Sequence, residues 1–122
     1  MKHLLFILTM LLTVTAMQAQ KISYIETTRS WHYVYDENGK KVHTFSTSQG
    51  EVVAYSESFY ILKHGSWYYT FDAKGKKLYT FSVSSVGEVL AAIGDTFTSR
   101  KGSWIYTWSK TGKKLATRSA RH

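Results

Sequence analysis

Hydrophobic and polar positions alternate strictly through three stretches of this chain. Trp67, Tyr69 and Phe71 alternate with Tyr68, Thr70 and Asp72. Trp31, Tyr33 and Tyr35 alternate with His32, Val34 and Asp36, and Trp104, Tyr106 and Trp108 with Ile105, Thr107 and Ser109. A period of two with β-formers throughout predicts strands. The face led by Trp is wholly aromatic and the opposite face is smaller and more polar, so the aromatic face is expected to be the buried one. Each stretch runs into a turn. Asp36, Asp72 or Ser109 is placed to cap it, and Gly39, Gly75 or Gly112 follows three residues later. That is the order wanted by a type I turn closed by a left-handed Gly. Return strands are predicted at 42–45, 78–81 and 115–118. Further strands are predicted at 50–54 and 87–91, then at 59–65 and 96–102. The opening segment 22–27 aligns with these last two, Tyr24, Tyr60 and Phe97 falling at one place. The expectation is eleven strands, with no stretch of helical periodicity.

The three leading tryptophans stand 36 and 37 residues apart, and Val86 is the inserted residue that lengthens the second interval. A period of this length marks an array of one supersecondary unit. The domain reads as a fourth-type strand 22–27, repeat one 30–65, repeat two 66–102 and a partial repeat three 103–122, within a single β-repeat domain 20–122. The fold class expected is all-β, built from antiparallel propeller-blade-like meanders, with β-trefoil-like closure or a short β-solenoid as alternatives. Three blades alone leave sheet edges open. The chain's two ends pairing in a composite sheet, or a homo-oligomer formed through β-edges, would complete them.

Residues 1–19 stand apart. A basic start at Lys2-His3, an apolar run from Leu4 to Val14 and a small-residue exit make a secretory signal peptide, cleaved after Ala16 or Ala19. The run is shorter than the roughly 20 residues a membrane helix needs, so no transmembrane segment is expected to be retained. The expected location is secreted or periplasmic, in a bacterial envelope. The chain has no Cys and no Pro, so packing must hold the domain, and 16% of its residues are Phe, Trp or Tyr. Net charge is +8 with the leader's Lys2 included. Its lysine pairs, Lys40-Lys41, Lys76-Lys77 and Lys113-Lys114, leave hairpin turns where charge is solvated. Nucleic acid is therefore not the expected partner.

The segment Gly65-Ser66-Trp67-Tyr68-Tyr69-Thr70-Phe71-Asp72-Ala73-Lys74-Gly75-Lys76 resembles the W-Y-Y-F-D-x-x-G-K hairpin of choline-binding and glucan-binding cell-wall repeats. In those families aromatics of successive hairpins cage choline or stack on sugar rings. The resemblance implies Trp31, Trp67, Trp104, Tyr33, Tyr69 and Tyr106 as binding aromatics. Those repeats run near 20 residues, whereas the period here is almost double. The second half of the segment is similar to WG repeats, though Tyr68, His32 and Ile105 replace the Gly that follows their Trp. Both likenesses cover about a third of each unit. The whole pattern is like that of small exported bacterial β-repeat proteins, which implies no activity.

Catalytic chemistry finds little footing. His32, His43 and His64 are not repeated between units and do not cluster with carboxylates at metal-ligand spacing, and His122 ends the chain. Asp36 and Asp72 belong to turns, and Glu51 and Glu88 follow Gly at strand starts. No nucleophile elbow, phosphate loop, zinc signature or calcium loop is present. No enzyme activity, cofactor or metal is expected. The expected function is an exported binding module for an envelope glycan or surface protein. An assembly protein pairing through open β-edges comes second, and a small hydrolase or inhibitor third. Lys63, His64, Arg100 and Lys101, which approach the tryptophans, join the candidate ligand residues, with the polar connections 46–49 and 82–85 as places for binding groups. Strict alternation favours a packed core for the Trp/Tyr stripe, so Trp67→Ala is expected to unfold the domain.

Overall fold

The computed structural model describes residues 20–120; the expected signal peptide with its two candidate cleavage positions, and His122, lie outside them. Eleven strands follow one another in three antiparallel meanders. The first sheet holds β1 (Ile22–Thr27), β2 (Trp31–Asp36) and β3 (Lys41–Ser46). The second holds β4 (Glu51–Tyr55), β5 (Tyr60–His64), β6 (Trp67–Phe71) and β7 (Lys77–Ser82). The third holds β8 (Glu88–Ile93), β9 (Thr96–Lys101), β10 (Trp104–Ser109) and β11 (Lys114–Ser119). The protein is all-β, and its strands fall within a residue or two of the positions expected. None of the sheets closes into a barrel, so trefoil-like closure is not adopted. β1 and β11 belong to different sheets, so the chain's ends do not form a composite sheet.

The three hairpins are the same object. Asp36 Oδ1 accepts from the backbone N–H of Asn38 and Lys40, and Asp72 Oδ1 from those of Lys74 and Lys76. Ser109 Oγ accepts from Lys113 N–H. Each turn is followed by a register shift against the middle strand, the bulge that the left-handed glycine permits. Two short helical turns were not expected. A 3-10 turn at Thr47–Gln49 is capped by Ser46, and a single α-turn spans Val83–Val86. Both end on a positive-φ glycine, and neither is long enough to carry a periodic signal.

The sheets stack so that the reverse face of one meets the aromatic face of the next. Ile25, Val34 and Phe45 of the first sheet pack on Tyr60, Leu62 and Ala73 of the second. Ile61, Tyr68 and Phe81 on the reverse of the second pack on Phe97 and Trp108 of the third. Phe45 stacks on Tyr60 with ring centroids 5.3 Å apart, and Phe81 meets Phe97 edge-on at 5.2 Å, equivalent contacts at both steps. Among the described strands, the closest approach between sheets runs along β4 and β8.

Here the expected buried face is corrected. On the middle strands the buried positions are His32, Val34 and Asp36, then Tyr68 and Thr70, then Ile105 and Trp108. A sheet held between two others buries parts of both faces, so alternation alone cannot say which residues are core. The polar members of the reverse face are satisfied across the step. His32 Nε2 donates to Gly50 O at 2.9 Å, and its Nδ1 shares a hydrogen bond of 2.7 Å with Thr27 Oγ1. Tyr68 Oη donates to Gly87 O at 2.7 Å, and Thr70 Oγ1 to Lys110 O at 2.6 Å.

Candidate functional site

Trp31, Trp67 and Trp104 open the middle strand of each sheet and are 46%, 48% and 50% exposed. A sheet stands in front of the second and third of these faces but not in front of the first. That neighbour buries Tyr60 and Phe97 to 1% exposure, whereas Tyr24, at the same place on the first sheet, is 53% exposed. Each indole is therefore exposed to much the same degree whether or not a neighbouring sheet stands in front of its face. The three indoles open the equivalent strands β2, β6 and β10 and so sit at the same end of each sheet.

Register supplies each indole with polar company. Directly across from Trp31, Trp67 and Trp104 stand Ser46, Ser82 and Ser119. On the other side, His64 faces Trp67 and Lys101 faces Trp104, while Thr28 Oγ1 accepts from the backbone N–H of Trp31. Lys63 and Arg100 do not join them. Lys63 pairs with Glu51 and Tyr68, and Arg100 with Glu88 and Ile105, on the reverse faces. Two residues further along each strand, Tyr33, Tyr69 and Tyr106 are half-buried, each beneath a lysine ammonium. The ring-to-nitrogen distances are 4.6 Å to Lys41, 5.0 Å to Lys77 and 4.4 Å to Lys114. A face of each of these three tyrosines is therefore already engaged, and on the middle strands the more open aromatic surface is that of the tryptophans. Tyr35 donates to Glu26 at 3.2 Å, and desolvation together with that carboxylate pushes its phenol above the ordinary range.

Below Trp67 a groove of about 360 Å³ opens between the first two sheets, lined by Ser48, Gln49, Leu62, His64, Tyr69, Phe71 and Lys77. At the next step Val86 is fully buried among Phe59, Phe81 and Phe97. The inserted residue thus fills one inter-sheet space, and the shorter 3-10 turn leaves the other open. A larger cleft of about 620 Å³ lies at the turn end, away from the indoles, lined by Lys21, Glu57, Asp72, Asp95 and Lys110 among others. It has no aromatic wall, and Lys110 is paired with Asp95 at 3.0 Å. The Lys110 hydrogen bond, then Ser58, holds the Asp95 carboxyl below the usual range. Among the described residues no three His, Asp or Glu side chains gather as a metal site.

Sequence reasoning identified the indoles, His64, Lys101 and the polar connection at 46–49. It included Ser46 and Ser82 in the polar connections but not their place opposite a Trp, which only the strand register shows, and it left out Ser119 and the groove residues Leu62, Phe71 and Lys77. Comparison with protein-family models and with curated proteins finds no match for this chain.

Proposed function

We propose that the protein is an exported, non-catalytic binding module that recognises an envelope glycan through its three exposed tryptophans. The carrying observation is the equal exposure of Trp31, Trp67 and Trp104, with or without a sheet in front of them. A half-exposed indole offers a flat apolar face to a sugar ring, and the neighbouring Ser, Thr, His and Lys groups offer hydrogen bonds to its hydroxyls. The resemblance of the hairpins to glucan-binding repeats points the same way, and the leader would deliver the domain to the secreted or periplasmic space. Tyr33, Tyr69 and Tyr106 act as the lysine-bearing flank of each indole. Isothermal titration of the processed protein against neutral and sulfated glycans tests the proposal. Saturable heat with one class is expected, and no heat with any of them sinks it.

A second reading is assembly through β-edges. It draws on the first sheet, where β1 is an outer strand at the position that β5 and β9 occupy inside four-stranded sheets.

A further inference from the structure

We propose that a second copy of this chain covers the first sheet. The outer face of its third sheet would seat on the first sheet's aromatic face by the step that already joins the sheets within one chain.

Within the chain this step is made twice, and each time Phe45 or Phe81 lies on the ring of Tyr60 or Phe97. The corresponding aromatic on the first sheet is Tyr24, exposed and stacked beside Tyr35 at 6.4 Å. The position of Phe45 and Phe81 on the third sheet is held by Arg118, which pairs with Ile105 as they pair with His32 and Tyr68. The two unpartnered faces have changed together. Glu26 replaces Leu62 and Ser99 beside the aromatic, so an arginine would meet a tyrosine face with a carboxylate next to it. A buried ring-on-ring contact inside the chain becomes a charge-complementary one between chains.

Other positions agree. Leu115 is half-exposed on the third sheet, whereas Val42 and Leu78 at its place in the other two pack against the cores. Thr107 stands where Thr70 donates to Lys110 O, and would donate likewise to Glu37 O of the second copy. Gly75 and Gly112 lie against the rings of His43 and Tyr79 of the preceding sheet, while the equivalent Gly39 has open space before it. Trp31 stays outside the contact, as Trp67 and Trp104 do at the internal steps. This pairing of unlike faces closes when the rotation allows. Two chains make a ring of six sheets, within the about four to eight that propellers use.

Sedimentation velocity and native mass spectrometry of the processed protein test this directly, with Glu26→Arg and Arg118→Glu as exposed variants whose folding circular dichroism checks. The expected result is a species of two chains, reduced to one by either charge reversal and restored when both are combined. A wild-type monomer at micromolar concentration overturns it, leaving the aromatic face to the glycan or another protein. A dimer broken by Glu26→Arg but unmoved by Arg118→Glu overturns it in favour of two first sheets facing each other. Assemblies that keep growing beyond two chains overturn the closed ring.

Discussion

A tryptophan that is equally exposed with and without a neighbouring sheet takes little part in the packing that the sheets share. Trp67→Ala is therefore expected to fold and to melt with a stability loss within about 1 kcal/mol, the reverse of what alternation alone predicts. Calorimetric melting checks this, and lost glycan heat from the same folded variant assigns the indole to binding. The cost lies instead on the reverse face. Tyr68→Phe removes the donor to the part-buried Gly87 carbonyl, and chemical denaturation is expected to show a loss of about 1–2 kcal/mol. Gly75→Ala should cost more than Gly39→Ala. Both need a positive φ, but only at Gly75 would the added Cβ run into the His43 ring. The difference between the two variants measures that contact between sheets. Residue identity made the aromatics visible in the sequence. Which of them are covered was not, because coverage depends on how far a neighbouring sheet reaches.

At the scale of elements, the strands and turns were almost wholly legible. Period-two alternation, side-chain caps at Asp36, Asp72 and Ser109, and a glycine three residues on leave the backbone few alternatives. The inserted Val86 was legible as an insertion but not as a plug, since its role comes from the space between two sheets. Val86→Ala, which empties part of that space, is expected to lower stability by about 1–3 kcal/mol in denaturant titration. The links between the second and third sheets are polar at the turn end, where Ser56 and Ser58 both donate to Gly94 O and Thr70 donates to Lys110 O, while Lys110 Nζ pairs with Asp95 within the third sheet. The Asp95 carboxyl is held below its unfolded value, so its contribution is present above the ordinary carboxylate range. It is lost as pH falls through the lower, folded value. Asp95 is well exposed, so the contribution is small and screened by salt. Melting temperature followed below pH 4, with Asp95→Asn as control, should show a small acid loss in the native protein that the variant lacks.

At the scale of the molecule, the repeat period announced an array, and the stacking of three separate meanders follows from it. The direction of stacking was not legible, and with it went the placement of Lys63 and Arg100 on the reverse faces. One-dimensional alternation treats each sheet as having a single buried side, whereas a stacked array gives its middle member two. What the array leaves over is three equally exposed indoles, each at the same end of its sheet, and two unlike faces at its limits. The first carries the binding proposal and the second the pairing of chains, and each can fail without the other. The most direct measurement is a combined melt and glycan titration of the protein carrying Trp31→Ala, Trp67→Ala and Trp104→Ala together. A cooperative melt close to that of the native protein with no binding heat is the predicted result. Loss of the cooperative melt, or undiminished binding heat, would contradict it.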